Sequence, residues 1–306
     1  MRTIGVDAHN VLICSGIRQD VDLPTTQFNH AIVAVREPDG QYRFLDPTAE
    51  DSRQYLPYSD QFKFALVCTE KGEDIRSTPL APPSDNRMDI RLDTTLGADG
   101  GLRTRVTLEP SGIYDLVFRN FLNSIPPARR EMFFSSRMAG FLPGAVVKDL
   151  AIADLDDLNQ PARMSFTLAA PDQGIRAGDY LVFTTVGQGG HLDLLLNSLL
   201  SGATTARRSY PLALAATVES RVSESLMLPP GYAVRSLPGA VELREGAASL
   251  RRTCVASSGG LDYQEQFSAS ELYFSGPGYQ GLRRLLEQRD RLRDGKLVLV
   301  RQGGAL

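Results

Sequence analysis

Alternating apolar and polar positions dominate the chain and predict strands far more often than helices. Two such runs, 27–36 and 41–47, flank the sequence EPDG at 37–40. Proline in its second position and glycine in its fourth favour a type I turn with Gly40 in the left-handed conformation, which gives a hairpin with a three-residue loop. The other predicted strands are 11–14, 61–68, a hairpin over 88–108 that turns at 98–101, three strands within 145–184, 214–227, 232–245, 248–257, 260–269 and 297–301.

Apolar residues recur at helical spacing in only a few segments. One helix is predicted over 111–124, and a second follows Ser124 and runs to about Ala139. A third carries its leucines on one stripe, at Leu282, Leu285, Leu286 and Leu292. The segment 192–200 is apolar on nearly every side, so a short buried helix and a strand end both remain open. These elements predict the α+β class, with mostly antiparallel strands and a few helices.

A proline-rich stretch interrupts the pattern at 72–86. Its sequence, GEDIRSTPLAPPSDN, carries three prolines among polar residues and is typical of a linker. We therefore predict a first domain at 1–71 and a β-rich domain with a helical insertion at 87–206. A C-terminal β-rich domain is predicted at 207–306, ending in a helix and a strand.

Charge and composition exclude several classes of function. The 306 residues carry a formal net charge of −3, so no basic surplus indicates a nucleic-acid partner. No run approaches the ~18 apolar residues of a membrane-spanning helix. The three histidines lack HxH, HxxxH or HExxH spacing and the three cysteines lack a CxxC pair. We therefore expect no dedicated metal site, no cofactor and no disulfide framework.

The first hairpin holds a histidine and an aspartate, His30 and Asp46. With a three-residue loop, His30 lies opposite Thr48 and Asp46 opposite Ile32, so their side chains are diagonal neighbours on one face, roughly 7–8 Å apart at the backbone. A two-residue loop would instead put them on opposite faces. A carboxylate beside an imidazole fixes its tautomer and stabilises the imidazolium, as a nucleophile–base–orienter chain requires. The alternative is a polar pair at the hairpin edge without a catalytic role.

Three segments around this pair, GVDAHNVLICSG, QFNHAIVAV and YRFLDPT, resemble the transglutaminase-like superfamily. There a Cys–His–Asp triad lies on a papain-like core, with the histidine at the start of one strand and the aspartate in LDPT at the end of the next. The resemblance implies that His30 and Asp46 are the catalytic histidine and aspartate. It also implies that 1–71 is the C-terminal half of such a core. The later segments RLDTTLGADGG, RRSYPL and LPPGYAVRSLPGAVEL resemble the β-rich domains of unknown function that follow the core in a bacterial subgroup.

The chain departs from the superfamily at the nucleophile. The family's cysteine begins a helix a few tens of residues before the histidine, usually in a GDCKD-like box, and no residue here matches it. MRTIG resembles the end of that helix, so we expect the chain to lack its natural beginning. The resemblance then implies an inactive fragment whose parent performs thiol-dependent acyl transfer or amide hydrolysis on protein or peptide. It further implies an exported parent, while the compartment and oligomeric state of this chain stay open.

The cysteines that the chain does contain are weak replacements for that nucleophile. Cys14 lies on a predicted strand and Cys68 follows the apolar run FALV, so both are predicted to be buried apolar residues. Cys254, within RRTCVAS on a predicted strand of the C-terminal domain, is likewise predicted to be structural. Two polar neighbours of the site are also assigned structural roles. His9 is expected at the surface, and Asn29 is expected to point to the other sheet face and to satisfy backbone groups.

Two further readings of the chain stay open. A non-catalytic β-rich binding or scaffold module would hold a polypeptide or a glycan, and it would be supported by aromatic residues clustered on one sheet face, with candidates at Tyr210, Tyr232, Tyr263, Tyr273 and Tyr279. A mis-started or split gene product would be partly unfolded alone and would associate through exposed apolar surface. His191 after GQGG is expected in a loop, and DLDDL at 154–158 is expected to be a solvated turn rather than a calcium loop.

Overall fold

The computed structural model describes residues 5–16, 27–50, 52–54 and 56–302. The chain divides into two compact units, Met1–Pro82 and Pro83–Leu306. Within the described residues the predicted α+β class is confirmed, because mostly antiparallel strands form four sheets and are accompanied by four α-helices. The helical turn predicted for residues 1–4 lies outside the described residues.

Unit 1 is built on a five-stranded antiparallel sheet with the order β3-β2-β1-β4-β5. Its strands are β1 Ala8–Ile13, β2 His30–Arg36, β3 Tyr42–Leu45, β4 Phe64–Val67 and β5 Arg76–Ser77. Alternate apolar residues meet on one face and form a buried core of Val11, Ile13, Ile32, Ala34, Phe44, Ala65 and Val67. The short β5 lies inside the segment predicted as a linker, so part of that segment belongs to the sheet.

The hairpin of β2 and β3 has the predicted register. Its ladder pairs Val33 with Leu45, and the loop is closed where the amide of Glu37 donates to the carbonyl oxygen of Gln41 at 2.8 Å. Gly40 takes a φ of +82°, the left-handed conformation expected for the last residue of this loop. The alternative prediction of a two-residue loop is therefore wrong. The residues that follow Leu45 lie beside the start of β2, where His30 contacts Asp46.

Unit 2 contains the remaining strands in three sheets. The eight-stranded sheet has the order β15-β16-β17-β13-β6-β7-β9-β8, a four-stranded sheet has the order β10-β11-β19-β14, and β12 pairs with β18. The strands are β6 Arg87–Leu96, β7 Leu102–Pro110, β8 Val146–Ala153, β9 Arg163–Ala170, β10 Ile175–Ala177, β11 Tyr180–Phe183, β12 Leu212–Ala213, β13 Val218–Met227, β14 Tyr232–Ser236, β15 Val241–Glu245, β16 Ala248–Ser257, β17 Gly260–Ala269, β18 Tyr273–Phe274 and β19 Leu297–Arg301.

The large sheet joins the two ranges that the sequence divides at 206. Neighbouring strands are antiparallel except for β13 and β6, which run parallel from the pair Glu219–Arg87 to the pair Met227–Thr95. Both 87–206 and 207–306 thus contribute strands to one sheet, and a boundary at 206 cuts it between β6 and β13. The independent folding of these two ranges stays a prediction.

Four α-helices accompany these sheets in the described part of unit 2: α1 Ile113–Asn123, α2 Arg130–Ala139, α3 Leu194–Leu199 and α4 Gly276–Arg293. The segment 192–200 is thus a short helix, capped by Asp193, whose carboxylate accepts from the amide of Leu196 at 2.9 Å. The range 145–184 holds four strands rather than three, since it turns again at Gly178, where φ is +60°. None of the helices described is long and apolar enough to cross a membrane.

A buried glutamate links the two parallel strands of the large sheet. Glu224 of β13 is 2% exposed and accepts hydrogen bonds from the hydroxyl of Thr94 on β6 and the amide of Gly187, both at 2.7 Å. Burial raises the pKa of Glu224, and the hydrogen bonds from Thr94 and Gly187 offset only part of this rise. The folded protein therefore holds this proton to a higher pH than the unfolded chain does.

Replacing this group should change the pH dependence of stability. Because the folded pKa of Glu224 is the higher one, the free energy of unfolding of the wild type falls as pH rises from the ordinary glutamate pKa to the folded value. We expect the stability of Glu224→Gln relative to wild type to increase across that window, by about 1.4 kcal/mol for each pKa unit of the rise. Urea unfolding at a series of pH values measures this. The control is Glu242→Gln at an exposed position of β15. A stability difference between Glu224→Gln and the wild type that does not change with pH would contradict the expectation.

Candidate functional site

His30 and Asp46 lie at one end of the core of unit 1. His30 is the first residue of β2 and pairs with the buried Ile13 of β1, while Asp46 comes directly after β3. Nε2 of His30 is 3.1 Å from Oδ2 of Asp46. The aspartate side chain is 6% exposed and the histidine side chain 28%, so solvent or a substrate reaches the imidazole and not the carboxylate. The predicted contact between the two side chains is confirmed.

Thr48 holds the carboxylate of Asp46 in place. Oδ1 of Asp46 accepts from the Thr48 amide at 2.9 Å and from its hydroxyl at 2.7 Å, which leaves Oδ2 for His30. Burial raises the pKa of Asp46, but the hydrogen bonds from Thr48 and His30 together lower it by more than burial raises it. The pKa of Asp46 therefore lies below its ordinary value. The carboxylate is therefore ionised at neutral pH and positioned to accept a hydrogen bond from a protonated ring nitrogen of His30.

A second carboxylate beside the pair has no sequence signal of its own. Asp60 ends the 3-10 helix Tyr58–Asp60 and is completely buried. One ligand atom from each of His30, Asp46 and Asp60 can be chosen so that all lie within 4.8 Å of one another. Asp60 was not predictable from the sequence, because YLPYSDQ has neither a periodic pattern nor a motif and only the fold brings this residue to the hairpin.

The backbone around Asp60 is fixed by buried hydrogen bonds. The hydroxyl of Thr78 donates to the carbonyl oxygen of Asp60 at 2.6 Å and accepts from the amide of Lys63 at 2.9 Å. Neither carboxylate oxygen of Asp60 makes a hydrogen bond of ordinary geometry with the described residues. Burial raises the pKa of Asp60, the nearby Ser15 hydroxyl offsets part of this, and the charge of Asp46 raises the pKa again.

The cysteines of the chain fit structural roles in two cases out of three. Cys14, one residue beyond β1, is completely buried, and Cys254 of β16 is 8% exposed. Burial raises the pKa of Cys254, which disfavours the reactive thiolate. The prediction that Cys68 is buried is wrong: β4 ends at Val67, and Cys68 begins the exposed turn that follows.

Two polar neighbours of the pair have structural contacts. Asn29 satisfies backbone groups as predicted, since its Oδ1 accepts from the amide of Ser15 at 2.7 Å and its Nδ2 donates to the Ser15 carbonyl at 3.0 Å. His9 was expected at the surface, but its side chain is only 12% exposed. It packs edge-to-face on Tyr42 at 5.9 Å between ring centroids, with Nε2 3.0 Å from Oδ1 of Asp7.

The candidates in unit 2 also have mainly structural roles. His191 lies in a loop as predicted and stacks on Phe141 with ring centroids 4.1 Å apart; burial first, and Arg293 second, lower its pKa. The aspartates of DLDDL are exposed, in keeping with a solvated turn. Tyr263 and Tyr279 are buried whereas Tyr210 is 82% exposed, so the five candidate tyrosines do not form one surface cluster.

A separate apolar cavity of about 360 Å³ lies within unit 2. Its lining is drawn largely from phenylalanine, methionine and leucine side chains, including Phe118 of α1, Phe134 of α2 and Phe166 of β9, with Arg137 and His191 among the few polar residues. This composition suits an apolar occupant.

Comparisons with known proteins give no family for the chain. No family model matches it, and no curated protein matches it. Among solved structures it is similar to the crystal structure of "a putative protease" from Parabacteroides distasonis, with a TM-score of 0.46 and 9% sequence identity. The match covers 98% of this chain and 41% of that one, so the chain spans less than half the length of that structure. A likeness at this level assigns no function.

Proposed function

We propose that His30 and Asp46 are the base and the orienting carboxylate of a thiol-dependent site that cleaves or transfers amides, of the kind found in the transglutaminase-like superfamily. The observation that carries the proposal is the 3.1 Å contact between His30 Nε2 and Asp46 Oδ2 at the end of an antiparallel hairpin. It occurs at the two residues that the FNH and LDPT segments match. Unit 1 is then the C-terminal half of a papain-like core.

The contact leaves one ring nitrogen available for chemistry. With Nε2–H donated to Asp46, Nδ1 of His30 carries the lone pair and accepts the proton of a cysteine thiol. The thiolate attacks the carbon of a carboxamide or peptide bond, and His30 returns the proton to the departing amine. Water or a second amine then releases the acyl group from sulfur, which gives hydrolysis or acyl transfer. Asp46 stabilises the imidazolium in both steps.

The thiol of this proposal comes from a longer form of the chain. The burial of Cys14 argues against that residue as nucleophile, and Cys254 belongs to unit 2. Cys68 is exposed, but its amide donates to the carbonyl oxygen of Asn10, three residues along β1 from Ile13, the strand partner of His30. The superfamily's cysteine begins a helix, where the helix dipole and free amides favour the thiolate. Its expected place is upstream of Met1, and its expected substrate is a protein or a peptide.

Reading the coding sequence in frame upstream of the Met1 codon tests this origin of the thiol. We expect an open frame that encodes a Gly-Asp-Cys box at the start of a helix. A stop codon close upstream without such a box would overturn the catalytic proposal.

The tautomer of His30 provides a test on the chain itself. Neutral His30 should carry its proton on Nε2, because Asp46 accepts there, and Asp46→Ala should remove this preference. Long-range proton–nitrogen correlation spectra of the imidazole ring measure both states. Asp7→Ala is the matched control, since it removes the carboxylate beside His9. A mixed tautomer of His30 in the wild type would contradict the assigned roles.

A further inference from the structure

Three side chains of unit 1 converge in a way that general-base chemistry does not require. His30 and Asp46 already form a base and its orienter, yet Asp60 adds a second carboxylate within 4.8 Å of both. The set offers one imidazole nitrogen and two carboxylate oxygens from three separate segments of the chain.

The state of Asp60 is the independent observation that points to a ligand. Its side chain is completely buried, and neither of its oxygens makes a hydrogen bond of ordinary geometry with the described residues, although the Ser15 hydroxyl lies nearby. Burying a carboxylate without a partner is strongly unfavourable, and native proteins rarely leave such a group unsatisfied unless water or an ion belongs there. The site next to it holds a second acid, Asp46, so a positive charge is the partner that suits both carboxylates.

We propose that His30, Asp46 and Asp60 form a binding site for a divalent transition-metal ion of the Zn²⁺ class. A mixed set of imidazole nitrogen and carboxylate oxygen suits Zn²⁺ and its neighbours, whereas Mg²⁺ and Ca²⁺ prefer oxygen alone. Ligand atoms around tetrahedral Zn²⁺ lie about 3.4 Å apart, given metal–ligand bonds of about 2.1 Å. The 3.1 Å between His30 Nε2 and Asp46 Oδ2 is close to that spacing.

The surroundings of the three groups fit the needs of a metal site. Thr48 binds the other oxygen of Asp46 and thereby leaves Oδ2 directed at the centre, as supporting hydrogen bonds do around ligating carboxylates. The backbone of Asp60 is held by Thr78. The 28% exposure of the His30 side chain gives the ion a path from solvent and leaves a fourth position open to water.

Metal binding goes beyond the proposed amide chemistry and does not need a thiol. An ion that takes Nε2 of His30 and Oδ2 of Asp46 also breaks the contact between them. The base then loses its orienting partner, so the metal-bound site is inactive in acyl transfer. The site thus has two exclusive uses, and the metal acts as an inhibitor of the first.

Zinc titration of the 306-residue chain tests the proposal. The protein is freed of metal with a chelator and titrated with Zn²⁺ against a chromophoric competitor, in a Cys68→Ser background that removes the exposed thiol. We expect one ion per chain with a dissociation constant in the micromolar range or below, and little response to Mg²⁺ or Ca²⁺. Co²⁺ should give the visible absorption of a four-coordinate ion.

Variants locate the ion among the described residues. Asp60→Asn and His30→Gln should each weaken Zn²⁺ binding at least about tenfold. The matched control is Asp7→Asn, which alters the other histidine–aspartate pair, His9 Nε2 and Asp7 Oδ1 at 3.0 Å, and should change affinity less than about twofold. Thermal unfolding without metal identifies any variant that fails to fold. If Asp60→Asn does not fold, the zinc affinity of His30→Gln, at the more exposed position, tests the site instead.

Two results would overturn the metal site: no stoichiometric Zn²⁺ binding by the wild type, or wild-type affinity in a folded Asp60→Asn or His30→Gln variant. Neither result bears on the amide chemistry, which is measured through the His30 tautomer and the upstream cysteine. Failure of the amide proposal likewise leaves the zinc titration unaffected.

Discussion

In a longer form of the chain that carries the superfamily's cysteine, His30→Ala should lower kcat/KM for an amide substrate by about 10³-fold or more. Without the imidazole, nothing takes the thiol proton before attack or returns it to the leaving amine. Asp46→Asn should cost less, because the base survives and loses only its preferred tautomer and the charge that stabilises the imidazolium. Steady-state kinetics on a small carboxamide or a peptide measures both.

The chain offers a matched control for this experiment. His9 and Asp7 form a second histidine–aspartate contact of 3.0 Å in the same sheet region. His9→Ala should leave kcat/KM within about twofold of the wild type, since the residue packs on Tyr42 and has no assigned role in the chemistry. A loss of less than about tenfold in His30→Ala would mean that another group acts as the base.

The second large effect is expected at a buried ion pair of unit 2. Arg119 and Asp115 are adjacent on one face of α1, with Arg119 Nε 2.9 Å from Asp115 Oδ2, and both side chains are almost completely buried. The guanidinium also donates to the backbone carbonyls of Asp154, Leu155 and Gln160 at 2.6–2.7 Å. One cation therefore satisfies a buried carboxylate and three carbonyl groups of the loop between β8 and β9.

Arg119→Ala should lower the free energy of unfolding of unit 2 by about 3–5 kcal/mol, because it leaves the charge of Asp115 in the interior without its counter-ion, with only the amide of Ala162 as a hydrogen-bond donor. Urea unfolding followed by circular dichroism measures the change. The control is Arg91→Ala, which breaks the more exposed pair of Arg91 and Glu109 and should cost less than about 1 kcal/mol. If Arg119→Ala costs no more than the control, water must replace the guanidinium at the loop.

Local pattern was sufficient for elements that depend on local interactions. The turn at 37–40 fixed the hairpin register through Pro38 and Gly40, and that register alone brings His30 next to Asp46. The strand 297–301 matches β19 for the same reason, because LVLVR is a short apolar run of the length and composition typical of a buried strand. Elements whose boundaries follow residue chemistry were therefore predictable.

Pairings between distant segments could not be predicted from local pattern. Asp60 reaches His30 through the packing of a 3-10 helix, and β13 joins β6 across a large separation in sequence. Cys68 follows an apolar run but lies one residue beyond the strand end, so its exposure depends on where pairing stops. The absence of a histidine-based motif led to the expectation of no metal site, yet two of the three proposed ligands are aspartates from separate segments.

Because β6 pairs with β13, which is made much later, β6 cannot complete its pairing in the sheet until β13 has been synthesised. Asn86 and its hydrogen-bond partner Thr217 are 131 residues apart. At ribosomal rates of ~5–20 residues per second, the β6 edge waits roughly 7–26 s for its partner strand to be made. The alternating charges of Arg87, Asp89, Arg91 and Asp93 along that strand discourage pairing with another nascent chain meanwhile. Conditions that slow translation between residues 110 and 218 should therefore increase aggregation of the newly made chain.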